Sequence, residues 1–264
     1  MIDRNPEPDT LNPEPAEPAV VPWRPLLGVV YVIFVFFAAQ LVAGILVSIY
    51  PWAKHWSNAQ ATDWLNNSVI AQFLFVLLAE GLTLGSIYAW LRRYKVNFKV
   101  IGLLKPRWRD AGYGLLAVVP YYVAYVALVG VVSHFAHGLN VDQQQQIGFT
   151  NVHGVAPLVF TFISLAVLPP LTEEIMVRGF LYGSLRKTMR VLGATLLTSA
   201  IFASAHLPEG GSGGPLWIAA LDTFTLSLVL CYLREKTGSL WASITLHGIK
   251  NGIAFLALFI LNVH

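Results

Sequence analysis

Apolar residues in this chain do not recur at the spacing of a surface helix or alternate as in a half-buried strand. They run together. Seven stretches, near 26–50, 69–91, 111–134, 155–185, 191–206, 215–233 and 240–261, approach or exceed the ~20 mostly apolar residues that a helix needs to cross the hydrocarbon of a bilayer. The fourth is long and interrupted by Pro169-Pro170, which predicts two helical pieces meeting at a kink, because proline removes a backbone donor and clashes with the preceding turn. The fifth is short and rich in Ser and Thr. The fold class expected is an all-α, multi-pass transmembrane bundle of about seven spans. Three segments follow from the pattern: a polar, proline-rich tail over 1–25, amino-terminal transmembrane helices over 26–150, and a carboxyl-terminal transmembrane unit over 151–264.

Composition points the same way. Of 264 residues, 56% are hydrophobic and 12% charged, against about 25% charged in soluble domains. Charge is unevenly placed. Arg92, Arg93, Lys95, Lys99, Lys105, Arg107 and Arg109 fill the loop after the second span, Arg186, Lys187 and Arg190 follow the fourth, and Arg234 and Lys236 follow the sixth. The intervening loops carry only Lys54. Such alternation predicts a cell-membrane protein with its amino terminus cytoplasmic and its carboxyl terminus outside. The net charge of +3 then reflects orientation, and nucleic acid is not an expected partner. A single cysteine, Cys231, excludes an intramolecular disulfide and a thiolate metal cluster. The tail repeats Asn5-Pro6-Glu7-Pro8 as Asn12-Pro13-Glu14-Pro15 and is expected to be disordered; no cleaved signal peptide is expected, since the first apolar run is too long and follows polar sequence. Trp52, Trp56 and Trp64 suit one membrane interface, Trp23 and Trp108 the other. The run Gln143 to Gln146 suggests no function.

The exceptions within the apolar runs carry the chemistry. Glu173, Glu174 and Arg178 lie in the fourth span, where a charge costs at least ~2.5–3.5 kcal/mol unless it is paired. Glu174 and Arg178 are i,i+4 neighbours and can neutralise one another; Glu173 lies about 100° round the helix and has no such local partner. Glu80 and Asp222, in the second and sixth spans, are read as partners for Arg178 or Lys250, or as markers of a substrate path. Ser227 and Cys231, four apart, are read as small residues that let helices approach. Phe202-Ala203-Ser204-Ala205-His206 ends the fifth span, and His247-Gly248-Ile249-Lys250-Asn251 lies in the seventh, with His247 and Asn251 on one helical face. By helical rise, His206 would lie roughly 20 Å, and His247 about 10 Å, from the cytoplasmic ends of their spans. Two histidines, a free glutamate and an asparagine supply a base, a second proton handler and two oxyanion donors, the parts needed for attack by water on an amide.

The motifs Glu173-Glu174-x-x-x-Arg178-Gly179, Phe202-x-x-x-His206 and His247-x-x-x-Asn251 resemble those of the family of CAAX prenyl proteases and bacteriocin-processing enzymes, also called the Abi family. The segment from Leu233 to Trp241 resembles the turn before that family's last motif. The resemblance implies an intramembrane endopeptidase in which Glu173 activates water with His206 assisting, His247 and Asn251 hold the oxyanion, and Glu174 with Arg178 braces the site. It leaves open a zinc ion held by Glu173, His206 and His247 or a metal-free glutamate mechanism. It implies as partners the lipid bilayer and a peptide or membrane-protein substrate, prenylated or not. Ser227 and Cys231 stand where the family usually has glycine, and Lys250 where an apolar residue is expected. Two other readings compete. One is a non-catalytic immunity or scaffold protein of the same fold, for which Glu173→Gln would be silent. The other is a rhomboid-like serine protease built on Gly210-Gly211-Ser212-Gly213, which leaves Glu173, Glu174 and Arg178 unused. The His-Glu-x-x-His motif of other zinc proteases is absent.

Overall fold

A computed structural model of the chain describes residues 21–143, 145, 148–149, 152–209 and 214–262. The proline-rich tail up to residue 20, Gln144 and Gln146 of the glutamine run, and the glycine-serine segment 210–213 lie outside the described residues. Within them the regular elements are helical: α1 (Pro25–Ala53), α2 (Asn58–Asn67), α3 (Val69–Arg93), α4 (Trp108–Phe135), α5 (Val155–Arg186), α6 (Val191–Glu209), α7 (Trp217–Thr237) and α8 (Trp241–Ile260), with a 3-10 turn at Phe98–Ile101. All but α2 are long and apolar enough to cross a membrane. The protein is a multi-pass membrane bundle whose outward faces are apolar, as at the exposed Val119, Val123 and Val126 of α4. Helix α2 has no counterpart in the hydrophobic pattern because its sequence is polar. A capping box between Ser57 and Gln60 starts it, and its Trp64 clusters with Tyr50 and Trp56 at centroid distances of 4.9 and 6.0 Å.

Helix α5 is the hub, packing against α1, α3, α6 and α8, while α4 covers α7 and α8. Helical backbone continues through Pro169 and Pro170, so the expected break into two separate pieces is not seen. Wide π turns at Ile163–Val167 and Glu174–Leu181 flank the proline turn, with the Leu168 N–H reaching the Ile163 carbonyl and the Tyr182 N–H the Val177 carbonyl. Such turns absorb a break in the ordinary hydrogen-bond ladder and are frequent at functional sites.

The end of the bundle that carries the basic loops is closed. Trp23 does not face lipid there: it is 1% exposed, stacks on Phe180 at 4.5 Å and donates its indole N–H to Ser184 Oγ at 2.6 Å. An aromatic ring fits because α1 carries Gly28 opposite Ser184, where a Cβ would come within 2.2 Å of the hydroxyl. Gly102, at φ +87°, lets the loop after α3 lie against the Arg234 guanidinium, 2.4 Å from where a Cβ would stand. Glu235 is bonded by Arg186 and by the Tyr182 hydroxyl, and the Trp241 indole donates to the Leu104 carbonyl at 2.7 Å. Ile101 and Leu240 are buried beneath these contacts.

Helix α4 meets α8 through Gly114, where a Cβ would lie 2.6 Å from the Ala242 carbonyl oxygen. Backbone cannot turn aside, so Gly114→Ala must push the two helices apart. A loss of about 1–3 kcal/mol is expected, read as a lower Tm of the detergent-purified protein. Gly112→Ala, with open space at its Cβ position, is the control and should melt like the parent.

Candidate active site

Glu174 and Arg178, both 0% exposed, form an ion pair at 2.9 Å inside α5. The same carboxylate oxygen meets His247 Nδ1 at 2.9 Å, which assigns the ring proton to Nδ1 as donor and aims Nε2 at the cavity. Across that cavity, His247 Nε2 stands 3.8 Å from Glu173 Oε2. The paired glutamates are thus divided as their helical positions predict. Glu174 is consumed by Arg178 and His247, whereas Glu173 faces open space.

Phe202 ties the motifs together. The Arg178 guanidinium lies over its ring at 4.4 Å, and its centroid is 4.9 Å from that of His206 and 6.3 Å from that of His247. Its carbonyl accepts from His206 Nδ1 at 2.9 Å, which leaves His206 Nε2 as the acceptor nitrogen. The unequal depths expected for the two histidines are accommodated because one cavity of about 230 Å³ has both in its wall, along with Glu173 and Asn251. Asn251 donates its side-chain N–H to the Leu165 carbonyl at 2.9 Å. That carbonyl would ordinarily accept from the residue at position 169, and proline there has no N–H to give. Fixed through one amide hydrogen, Asn251 keeps a second facing the cavity.

Asp222 and Lys250 line the same cavity and pair with each other at 2.8 Å, with the Tyr121 hydroxyl bonded to the other Asp222 oxygen. Of the partners considered for Asp222, Lys250 is the one observed. Glu80 is bridged to neither Arg178 nor Lys250 among the described residues; it lines a second cavity, of about 620 Å³, between α1, α3 and α5. Glu173 lies in the walls of both cavities. So does Glu209, a residue the sequence reading passed over, which holds Gln145 at 2.6 Å and stands 3.9 Å from His206 Nε2. Its signal was its position three residues after His206, on the same face of the helix end. Ser227 and Cys231 are buried on α7, which packs along α6, in keeping with a packing role.

Glu173, His206 and His247 do not converge as a zinc set. Among the described residues no three His, Cys, Asp or Glu side chains are grouped so as to hold one ion.

Residues 154–253 match the family model described as type II CAAX prenyl endopeptidase Rce1-like. That stretch contains all three polar motifs, with α1 to α4 outside it. No curated protein and no solved structure matches the chain.

Proposed function

We propose that this chain is an intramembrane endopeptidase of the CAAX prenyl endopeptidase kind, in which Glu173 and His247 together prepare a water molecule for attack on a peptide carbonyl. The observation that carries the reading is the 3.8 Å gap between Glu173 Oε2 and His247 Nε2, with the other imidazole nitrogen pinned to a fully buried ion pair. Two acceptors at that separation can both take a hydrogen from one water. Glu173 removes a proton as the oxygen attacks, the step that a positioned carboxylate assists. Glu173 then passes this proton to His247 Nε2, 3.8 Å away, and Glu174 stabilises the resulting imidazolium, as a buried carboxylate does for a catalytic histidine elsewhere. So charged, it donates to the oxyanion beside the free amide hydrogen of Asn251 and then protonates the departing amine. His206, with Nε2 as acceptor, assists the water. The bilayer and a peptide or membrane-protein substrate are the partners of this activity. The alternation of basic loops supports an amino terminus in the cytoplasm.

Asn251→Ala is expected to leave measurable cleavage. Loss of one oxyanion donor costs ~3–4 kcal/mol or less, and the substitution also frees the Leu165 carbonyl. Steady-state kinetics on a peptide should show kcat falling roughly 10²–10³-fold with KM little changed. Cleavage by purified enzyme should persist in excess chelator; silence restored by zinc would transfer Glu173, His206 and His247 to ligand roles and end the general-base assignment. The deciding experiment compares the membrane proteomes of cells expressing the parent and Glu173→Gln. New peptide termini confined to the parent support the protease. Identical termini, with the phenotype retained by Glu173→Gln, support a scaffold.

A further inference from the structure

Glu80 is a membrane carboxylate without a cationic partner. It stands on α3 within an apolar run. Among the described residues the ion pairs take in Glu173, Glu174, Glu209, Glu235 and Asp222, and none takes in Glu80. A charge in hydrocarbon is costly and as a rule is paired. Glu80 lines the second cavity, whose other walls run from Phe36 to Ser48 on α1 and from Ser164 to Met176 on α5. Glu173 and Glu209 border the same space, and of the described residues that line it none is Lys, Arg or His. Three carboxylates thus share a cavity whose described wall holds no positive charge.

A second group in that wall is also short of a partner. Ser164, in the wide turn Ile163–Val167, is 1% exposed, lines the cavity, and has a hydroxyl with no hydrogen-bond partner. Other helical hydroxyls here return to the carbonyl four residues back, as Thr83 does to Ala79 at 2.9 Å and Ser184 to Phe180 at 2.6 Å. Ser164 makes no such bond, and a buried hydroxyl left unpaired is destabilising until a donor reaches it. Between these polar groups the wall is apolar, with Phe36, Phe75, Val76 and Met176. That combination fits a long side chain with an aliphatic stem and a cationic head. An isoprenoid or aliphatic chain would satisfy neither Glu80 nor Ser164.

The two cavities share Leu165, Pro169, Glu173 and Glu209 in their walls. A chain whose scissile carbonyl lies at Glu173 in the first can therefore place a neighbouring side chain in the second. Resting on the protease reading, we propose that the second cavity is a specificity subsite for one Lys or Arg side chain of the substrate, beside the bond that is cut. The ammonium or guanidinium group pairs with Glu80 and donates to Ser164 Oγ, while the stem lies against Phe36 and Val76. The positive charge missing from the wall arrives with the substrate. The substrate class is a peptide with a basic residue flanking the cleavage site, and the three carboxylates reject an acidic one. A site built to hydrogen-bond a group discriminates against an analogue lacking it, because the site's own polar atoms are then left unpaired.

The test gives the detergent-purified full chain a mixed-sequence peptide pool and reads the cut sites by mass spectrometry. Lys or Arg should be enriched at one position relative to the cut. Matched synthetic peptides then carry Arg, norleucine, Glu or S-farnesylcysteine at that position. The parent should cleave the Arg peptide with kcat/KM roughly 10–100-fold above the norleucine peptide, the range of a hydrogen-bonded charge, and the Glu peptide more slowly still. Glu80→Gln should bring the Arg-to-norleucine ratio close to one, Ser164→Ala should lower it several-fold, and Glu80→Lys should favour the Glu peptide over the Arg peptide. A ratio between two peptides cut by one sample is insensitive to loss of folded enzyme, and the parent's own ratio needs no variant. Absence of basic enrichment, equal cleavage of the Arg and norleucine peptides by the parent, preference for S-farnesylcysteine, or full preference retained by Glu80→Gln overturns the subsite and leaves the protease intact. Where the pool is uncut, the parent-specific termini from membranes are read for the same enrichment, and its absence overturns the subsite. Absence of any such termini overturns the protease reading itself, and the subsite with it.

Discussion

Arg178→Ala is expected to fail to accumulate in the membrane, or to accumulate with a much lowered Tm in detergent. Arg178 and Glu174 are both 0% exposed, and their 2.9 Å bond is the neutralisation that lets a carboxylate exist there. Removing one partner of a buried pair costs roughly 3–5 kcal/mol, because the remaining charge has no solvent. A domain's whole stability is commonly about 5–15 kcal/mol, so the loss is a large share of the total. The guanidinium also covers the Phe202 ring at 4.4 Å, and that packing goes with it. The paired substitution Glu174→Gln with Arg178→Met separates charge from shape. It should recover part of the stability, since no unpaired charge remains, but not the activity, since His247 loses its anionic partner. An Arg178→Ala protein that accumulates and melts like the parent would refute the structural role.

The second large effect concerns rate. Glu173→Gln and His247→Ala should each lower kcat/KM by roughly 10²–10⁴-fold, the usual contribution of a positioned acid-base group. At 1.36 kcal/mol per decade that is about 2.7–5.4 kcal/mol of transition-state stabilisation. Both proteins should melt near the parent temperature. Glu173 is 21% exposed at its side chain and lines open space, and loss of His247 leaves Glu174 still paired with Arg178. The combined variant should be no slower than the slower single one, because residues that share one water act as a unit. Losses that multiply in the double variant would show two independent roles and sink the shared-water mechanism.

Much of this architecture was readable from hydrophobic patterning because a bilayer leaves a chain few choices. The seven spans were placed within a few residues of those observed, Val155 and Val191 among the starts that coincide. Helix α2 escaped because its polarity marks an extramembrane segment without telling helix from loop. Trp23 was misplaced because an aromatic near a span end fits an interface belt and a buried cap equally well; only the missing side chain at Gly28 separates them, and that needs the partner helix to be known. At the site, helical spacing was enough to assign Glu174 to Arg178 and to leave Glu173 free. Spacing could not reveal that His247 would join the same carboxylate, since 73 residues separate them. Nor could it reveal that Pro169 frees a carbonyl for Asn251, or that Glu209 and Glu80 border the space around Glu173. The first depends on helix register and the second on cavity shape, and neither leaves a periodic trace.

The docking of Trp23 on Ser184 has a consequence for how the protein is made. The two residues are 161 positions apart, so Trp23 cannot meet Ser184 until α5 has been synthesised. At ~5–20 residues per second the wait is roughly 8–32 s. Throughout it, α1 can pack on α3, where Tyr31 bonds the Ser86 carbonyl, but the indole N–H and the gap at Gly28 stay unfilled. The seating of α1 on α5 is therefore late although α1 is translated well before α5. That seating on the far side of Glu173 is the step at which a nascent chain would become a competent enzyme.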